Sequence, residues 1–523
     1  MPGVYWSGLG ANMKTPAKYA TLFLFAGCTV LAQNAPHIRD WKPAAGETAR
    51  PPKAACNSLH SLTGYEYSVL SAESMPGFCR VLILVQPEIQ IEVALPEKWN
   101  SRLYMFGNGG YAGEKLDAPN RVAHRDAAVK SGFAVTQTNT GHDAEREPLG
   151  TFTVHPQKMA DYAFRSLHVT AETAKRVVEA YYGARPSKSY YNGCSTGGRQ
   201  GLILAQRYPG DFDGIIVGAP ALDNVAGRMR AIATWQAQAK GPVKTEKLKL
   251  LAERVYARCD DKDGLKDGLI IEPRACDFKA TRDLPVCAGA EAADCFTPDQ
   301  IRTIDAVYSD VVLNGKRAAF GFPVGAEIAG PNGRSGWDGW IFRDEGISQA
   351  ALYADSAVKY MIRPKPDLNA SILTFNLERD AGMFTAVGKL MNATDPDLTR
   401  FRDRGGKILM YFGWADPALN PLMGIEYYEN VRRTMGAGAT GFFRLYMMPG
   451  VFHCSGGVGP ACFDPLTQIV PWVEQGKAPE RILAAQIEQG RTIRTRPLCP
   501  HPQVAKYAGS GDPNDAASFR CGE

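Results

Sequence analysis

Residues 190–201 read YYNGCSTGGRQG, and within them Gly193, Ser195 and Gly197 make a G-x-S-x-G pattern. Such a pattern displays a nucleophilic serine when a strand precedes it and a helix follows. A hydroxyl near its free pKa is a poor nucleophile, so Ser195 needs a base to take its proton and an acid to orient that base. In strand–turn–helix hydrolases the partners follow the serine in the order acid, then histidine. Of the eight histidines, His37 and His60 precede the expected sheet and His501 lies in a proline-flanked tail. His142 and His168 come before the serine and read as satisfied structural histidines; His124 and His155 read as surface loop residues. Only His453 follows the serine inside a strand-and-helix stretch, in the loop after "FFRLYMM". Asp416, in "GWADP" after "KILMYF", stands where the acid belongs, although alone it reads rather as a turn or cap aspartate before proline.

The cysteines bear on the same residues. Cys194 precedes Ser195, and Cys454 follows His453. If the hydroxyl and the imidazole touch, the two sulfurs come within bridging range, so a Cys194–Cys454 disulfide is expected, closing a very long loop. Cys259/Cys276, Cys287/Cys295 and Cys499/Cys521 are close pairs that read as disulfides of an exported protein, and Cys56 and Cys79 are expected to be bonded too. Removing Cys28 with a leader leaves an odd number, and Cys462 is the expected leftover thiol.

The elements that must position these groups follow from periodicity. "RVLILV" (80–85), "IQIEVALP" (89–96), "SRLYMFGNGG" (101–110) and "FAVTQTN" (133–139) read as strands, and residues 159–183 have helical spacing. "SKSYYN" (187–192) is a strand, "GCSTGG" the turn, "RQGLILAQRYP" a helix and "FDGIIVGAP" (212–220) the next buried strand. This alternation implies a mostly parallel sheet with helices on both faces. It stops near residue 221, gives way to helices and Gly/Pro-rich loops, and resumes at "GGKILMYFGWADP" (405–417). Thr297, Pro298 and Gln300 predict a capping box opening a helix. The domain reading is a leader at 1–32, a first core part at 33–220, an inserted lid at 221–400 and a second core part at 401–523.

The chain has 523 residues, 45% of them hydrophobic, and a net charge of +5, with no basic block that would suit nucleic acid. From Met13, an alternative start, "MKTPAKYATLFLFAGCTVLAQ" has the order of a secretory signal peptide cleaved after Ala32, and its apolar run is too short to span a membrane. A rival reading makes Cys28 a lipidated N-terminus. Secretion or export to a periplasm is expected.

Two further clusters matter. An oxyanion hole needs backbone N–H donors; Thr196, after the nucleophile, is one, and Gly109 or Gly110 in "FGNGG" the other, a plain glycine turn being the alternative. "CDDKDGLKDGLI" (259–270) gathers Asp260, Asp263 and Asp267, which fit either a cation site or an acidic loop.

Together, "GCSTGGRQG", "FDGIIVGAP", "GWADP" and "HCSGG" resemble the tannase and feruloyl esterase family over roughly residues 50–523. The family includes tannases, feruloyl esterases and a hydrolase of terephthalate monoesters. The resemblance implies an α/β-hydrolase core with a large lid and a triad of Ser195, Asp416 and His453. It also implies a structural Ca²⁺ on Asp260, Asp263 and Asp267 with the carbonyls of Leu265 and Leu269, and no organic cofactor. Phe412 departs from the family, whose members often carry histidine there. The expected substrate is a small ester of an aromatic acid, galloyl or feruloyl, or alternatively a terephthalate monoester. The lid would supply the pocket, with Leu419 behind Asp416 lining it. A serine peptidase and a noncatalytic calcium-binding protein are the more distant alternatives.

Overall fold

The computed structural model describes Trp41 and residues 47–523, so the expected leader, with Met13 and Cys28, lies outside the described residues. Eleven strands matter here: β1 (Ser68–Met75), β2 (Phe78–Val85), β3 (Ile89–Pro96), β4 (Arg102–Phe106), β5 (Ala134–Thr138), β6 (Lys188–Cys194), β7 (Gly214–Gly218), β8 (Val311–Leu313), β9 (Lys316–Ala319), β10 (Lys407–Gly413) and β11 (Phe443–Met448). Nine of them form one sheet in the order β1-β2-β3-β5-β4-β6-β7-β10-β11. The β1 to β5 side pairs antiparallel, and β5-β4-β6-β7-β10-β11 is parallel throughout. This is the expected α/β-hydrolase sheet.

The parallel strands are apolar on both faces, as helices on both sides require. Along β10, Ile408 and Met410 join one core, while Leu409 and Tyr411 join the core on the opposite face. β7 does the same with Ile215 and Val217 against Ile216. That period of two, with apolar residues at both phases, is why "GIIVG" and "KILMYF" read as unbroken apolar runs.

Between β7 and β10 the chain leaves the sheet. Residues 219–406 carry the helices Asn224–Lys240, Leu248–Cys259, Pro298–Tyr308 and Gln349–Tyr360 and the small β8–β9 hairpin. The capping box is present: Gln300 N–H donates to Thr297 Oγ1 at 3.2 Å, and Thr297 N–H to Gln300 Oε1 at 3.0 Å. The expected helix over 159–183 is interrupted by a π turn at Asp161–Arg165, where the buried Asp161 carboxylate accepts from Arg165 and Gln157 at 2.8 Å.

All five expected disulfides are formed: Cys56–Cys79, Cys194–Cys454, Cys259–Cys276, Cys287–Cys295 and Cys499–Cys521. Cys462 is not the leftover thiol expected: it is disulfide-bonded, and no described cysteine is free. The odd count behind that expectation rested on removing Cys28 with the leader. No helix among the described residues is long and apolar enough to cross a membrane.

Candidate active site

β6 ends at Cys194 and the chain reverses at once. Ser195 has φ 63° and ψ −122°, and the helix Thr196–Arg207 begins at the next residue. A non-glycine residue held there costs roughly 1–3 kcal/mol, so its surroundings must fix it. Ser195 N–H donates to the Gly218 carbonyl of β7 at 3.0 Å, and its own carbonyl accepts from Arg199 N–H at 3.0 Å and Ala221 N–H at 3.1 Å. Gly193 is required by space, because a Cβ there would lie 2.6 Å from the Gly197 carbonyl.

His453 arrives by folding back across the sheet. β6 and β11 are separated by β7 and β10, three strand spacings or roughly 14 Å. The loop after β11 crosses the end of β10: Trp414 N–H donates to Met448 O at 2.9 Å and Ala415 N–H to Val451 O at 3.1 Å. Gly413 lets it pass, since a side chain there would overlap the Val451 carbonyl. The loop ends with Cys454, also at φ 63°, bonded to Cys194 with their Cα atoms 6.0 Å apart.

Asp416 is buried at the turn after β10. Its Oδ2 lies 2.8 Å from His453 Nδ1, and its Oδ1 accepts from Ala418 and Leu419 N–H at 2.9 Å each. With Nδ1 engaged, Nε2 is the nitrogen left to face a hydroxyl. Trp340, from the segment between β7 and β10, sets its edge against the His453 ring at 5.4 Å. Ser195, Thr196, Gly109, Gly110, Leu419 and His453 all line one cavity of about 390 Å³. Phe412 is buried against Gly424 of the helix Pro421–Met435 and does not line the cavity.

The glycine loop after β4 is held from behind. Asn108 donates from its backbone to Gln200 Oε1 at 3.1 Å and from Nδ2 to Glu114 at 2.8 Å, while Arg121 grips Glu114 at 2.7 Å and Gln137 at 2.6 Å. Tyr162 donates to the Gly110 carbonyl at 3.0 Å, and Thr196 Oγ1 donates to the same oxygen. The loop is thereby fixed against the first turn of the helix that follows Ser195.

Other histidines fall as follows. His168 is structural, with Nδ1 2.8 Å from Asp211, and His155 is exposed. His142 is buried and stacked on Phe152 at 3.9 Å, but neither ring nitrogen has a partner; burial pushes its pKa down to about 4 and keeps it neutral. His124 is not a surface loop residue: it lies on the helix Pro119–Lys130, packs edge-on against Phe106 at 5.5 Å and lines the cavity. Its apolar neighbours are set by tertiary packing, and the weak apolar stripe of that helix gave no signal. Arg228, Trp340 and Tyr353, which also line the cavity, come from the segment between β7 and β10 and carry no motif.

The acidic loop is only partly satisfied. Asp260 accepts from the Gly268 and Leu269 N–H groups at 2.9 and 3.1 Å, and Asp263 from Leu265 N–H at 3.0 Å. Asp267 Oδ2 meets Arg496 at 2.6 Å. Asp263 Oδ2 and Asp267 Oδ1 are buried with no hydrogen-bond partner, and burial, with the neighbouring carboxylates adding to it, pushes Asp263 up to about 6. Among the described residues no three His, Cys, Asp or Glu side chains are grouped to hold a metal ion by themselves. Any cation here would draw on two free carboxylate oxygens and on backbone carbonyls.

The family model for tannase and feruloyl esterase matches residues 77–522. The mono(2-hydroxyethyl) terephthalate hydrolase of Piscinibacter sakaiensis is 33% identical, over 86% of this chain and 86% of that one. A probable feruloyl esterase of Arthroderma benhamiae is 31% identical over 83% of this chain and 82% of its own length. The crystal structure of feruloyl esterase B from Aspergillus oryzae superposes with a TM-score of 0.78 at 26% identity, covering 89% of this chain and 99% of that one.

The Cys194–Cys454 bond closes a loop spanning 260 positions, and chain entropy puts its worth at about 5 kcal/mol. A Cys194→Ser/Cys454→Ser double variant should therefore unfold at a markedly lower denaturant midpoint than wild type. An unchanged midpoint would show that the bond does not hold the two loops together.

Proposed function

The chain belongs to the tannase and feruloyl esterase family of ester hydrolases, and we propose that it is a serine carboxylesterase acting on small esters of aromatic acids. The observation that carries this reading is the buried Asp416–His453 contact at 2.8 Å, brought by a disulfide to the cavity that Ser195 lines.

His453 Nε2 takes the proton from Ser195 Oγ as that oxygen attacks the ester carbonyl. Asp416 holds the imidazole with Nδ1 protonated and stabilises the imidazolium that forms. The N–H groups of Thr196 and of Gly109 or Gly110 receive the developing oxyanion; a loop already fixed before the reaction needs little reorganisation to do so. Collapse expels the alcohol with the proton from His453 and leaves an acyl-serine. Water, deprotonated by the same imidazole, then releases the acid. The phenols and indole of Tyr111, Tyr162, Tyr353 and Trp340 on the cavity wall suit an aromatic acyl group, galloyl or feruloyl. A terephthalate monoester is the alternative, favoured by the Piscinibacter relative. The disulfides favour an oxidising, extracytoplasmic compartment.

Ser195→Ala should lower kcat/KM for methyl ferulate on the order of a millionfold, and Asp416→Asn on the order of ten-thousandfold. Combining Ser195→Ala with His453→Ala should add little. Turnover retained in Ser195→Ala would refute the nucleophile, and cleavage of peptide substrates without hydrolysis of aryl esters would favour a peptidase.

We also propose that the acidic loop holds a structural Ca²⁺ through Asp260, Asp263 and Asp267 and the Leu265 and Leu269 carbonyls. Two buried carboxylate oxygens without donors, and the raised Asp263 pKa, support a cation there. Chelation should lower the melting temperature, and calcium should restore it, while kcat of the still-folded enzyme stays within about twofold. A melting temperature indifferent to chelator and calcium would remove the ion from the account.

A further inference from the structure

Buried arginines need acceptors, because a guanidinium out of water loses its solvation unless carboxylates or carbonyls replace it. The buried arginines each have such an acceptor, although the Nε atoms of Arg199 and Arg496 lack one. Arg121 is paired with Glu114, Arg125 with Glu92, Arg102 with Glu474 and Arg496 with Asp267. Arg199 donates to the carbonyls of Ala163 and Met391, and Arg230 to those of Phe320 and Ala306.

Arg228, half-buried, differs in having no carboxylate or carbonyl acceptor for its guanidinium among the described residues. It lies on the helix Asn224–Lys240 and lines the cavity that holds Ser195 and His453. No carboxylate among the described residues is within ion-pair distance of it, and its Nε is buried without a partner. Its guanidinium lies over the rings of Tyr111 at 5.1 Å and Tyr353 at 5.5 Å. Those rings hold the charge in place by cation–π attraction but cannot neutralise it, and burial keeps both phenols un-ionised. Glu114, a carboxylate on the cavity wall, is already engaged by Arg121 and Asn108. Tyr111 directly follows Gly110, and Tyr353 packs against Gly110. This cation, hydrogen-bonded to the Tyr111 phenol but without a carboxylate partner among the described residues, therefore sits beside the loop proposed to receive the oxyanion.

We propose that Arg228 is a specificity residue that binds a carboxylate carried by the substrate in addition to its scissile ester. This rests on the esterase reading above and deepens it by naming the charge of the preferred substrate. A planar, fork-shaped donor set fixed between two rings suits a carboxylate better than a neutral hydroxyl or ether. The carboxylate could belong to the acid half, as on an aromatic diacid monoester, or to the alcohol half, as on a feruloyl ester of a hydroxy acid.

Two matched pairs separate these sources. One is a terephthalate monoester against its 4-carboxamide analogue; the other is a feruloyl hydroxy-acid ester against the corresponding amide. In wild type, the anionic member of at least one pair should have the higher kcat/KM. Arg228→Gln should lower that value about ten- to a hundredfold, mainly through KM, the size expected for one lost charge-assisted contact. The neutral members should change little, and Arg228→Lys should recover part of the loss. The pair that responds identifies the half bearing the charge. If Arg228→Gln leaves the anionic-to-neutral ratio unchanged in both pairs, or slows neutral esters equally, the inference is overturned. Hydrolysis of the neutral esters by wild type, and its loss in Ser195→Ala, reports on the parent reading separately.

Discussion

The site depends on one bond that spans the sheet. Parallel pairing delivers the ends of β6, β10 and β11 to the same edge, but it leaves the first and last about three strand spacings apart. Nothing in strand pairing closes that gap. The loop after β11 closes it by crossing over β10, and the sulfur bridge from Cys454 to Cys194 fixes where it lands. Cys454, one half of this bridge, and Ser195, next to the other half, both have positive φ, each with a conformational cost that the surrounding hydrogen bonds and the covalent link offset. Cys194, beside the proposed nucleophile Ser195, is thus a structural member, with no free thiol to compete in chemistry.

Around that bond the remaining groups are positioned by rigid supports rather than by each other. Asp416 is held by two backbone N–H donors at the turn that ends β10, so one oxygen stays committed and the other is free for His453. The glycine loop after β4 is held by a buried network running through Asn108, Glu114, Arg121 and Gln200. The segment between β7 and β10 then brings Trp340, Tyr353 and Arg228 onto the cavity. The sheet edge therefore supplies the proposed reactive groups, and the excursion supplies part of the cavity wall around them.

Much of this was legible in the sequence because local rules and tertiary demands agree there. The central strands are buried on both faces, so their apolar runs are continuous, and G-x-S-x-G stands between two such signals. "CS" and "HC" placed two distant cysteines together because each adjoins a residue with a chemical reason to meet the other. The edge strand β1 gave no such signal: "SVLSAESM" is mostly solvent-facing and lacks clean alternation. Arg228 and Trp340 were illegible for a different reason. Their meaning lies in what a long, loop-rich excursion folds against, and an arginine on a helix reads as a surface residue until its neighbours are known. His124 likewise passed for a loop residue, although the helix that carries it begins at a proline in the first turn.

The most direct test of this arrangement is to react the oxidised enzyme with an aryl phosphonate that phosphonylates activated serines. Digestion without reduction, followed by mass spectrometry, then locates both the label and the bridge. The account predicts a single adduct on Ser195, in a peptide still joined through Cys194 to the Cys454 peptide that carries His453. A label elsewhere, no label at all, or Cys194 recovered free or bonded to another cysteine would contradict it.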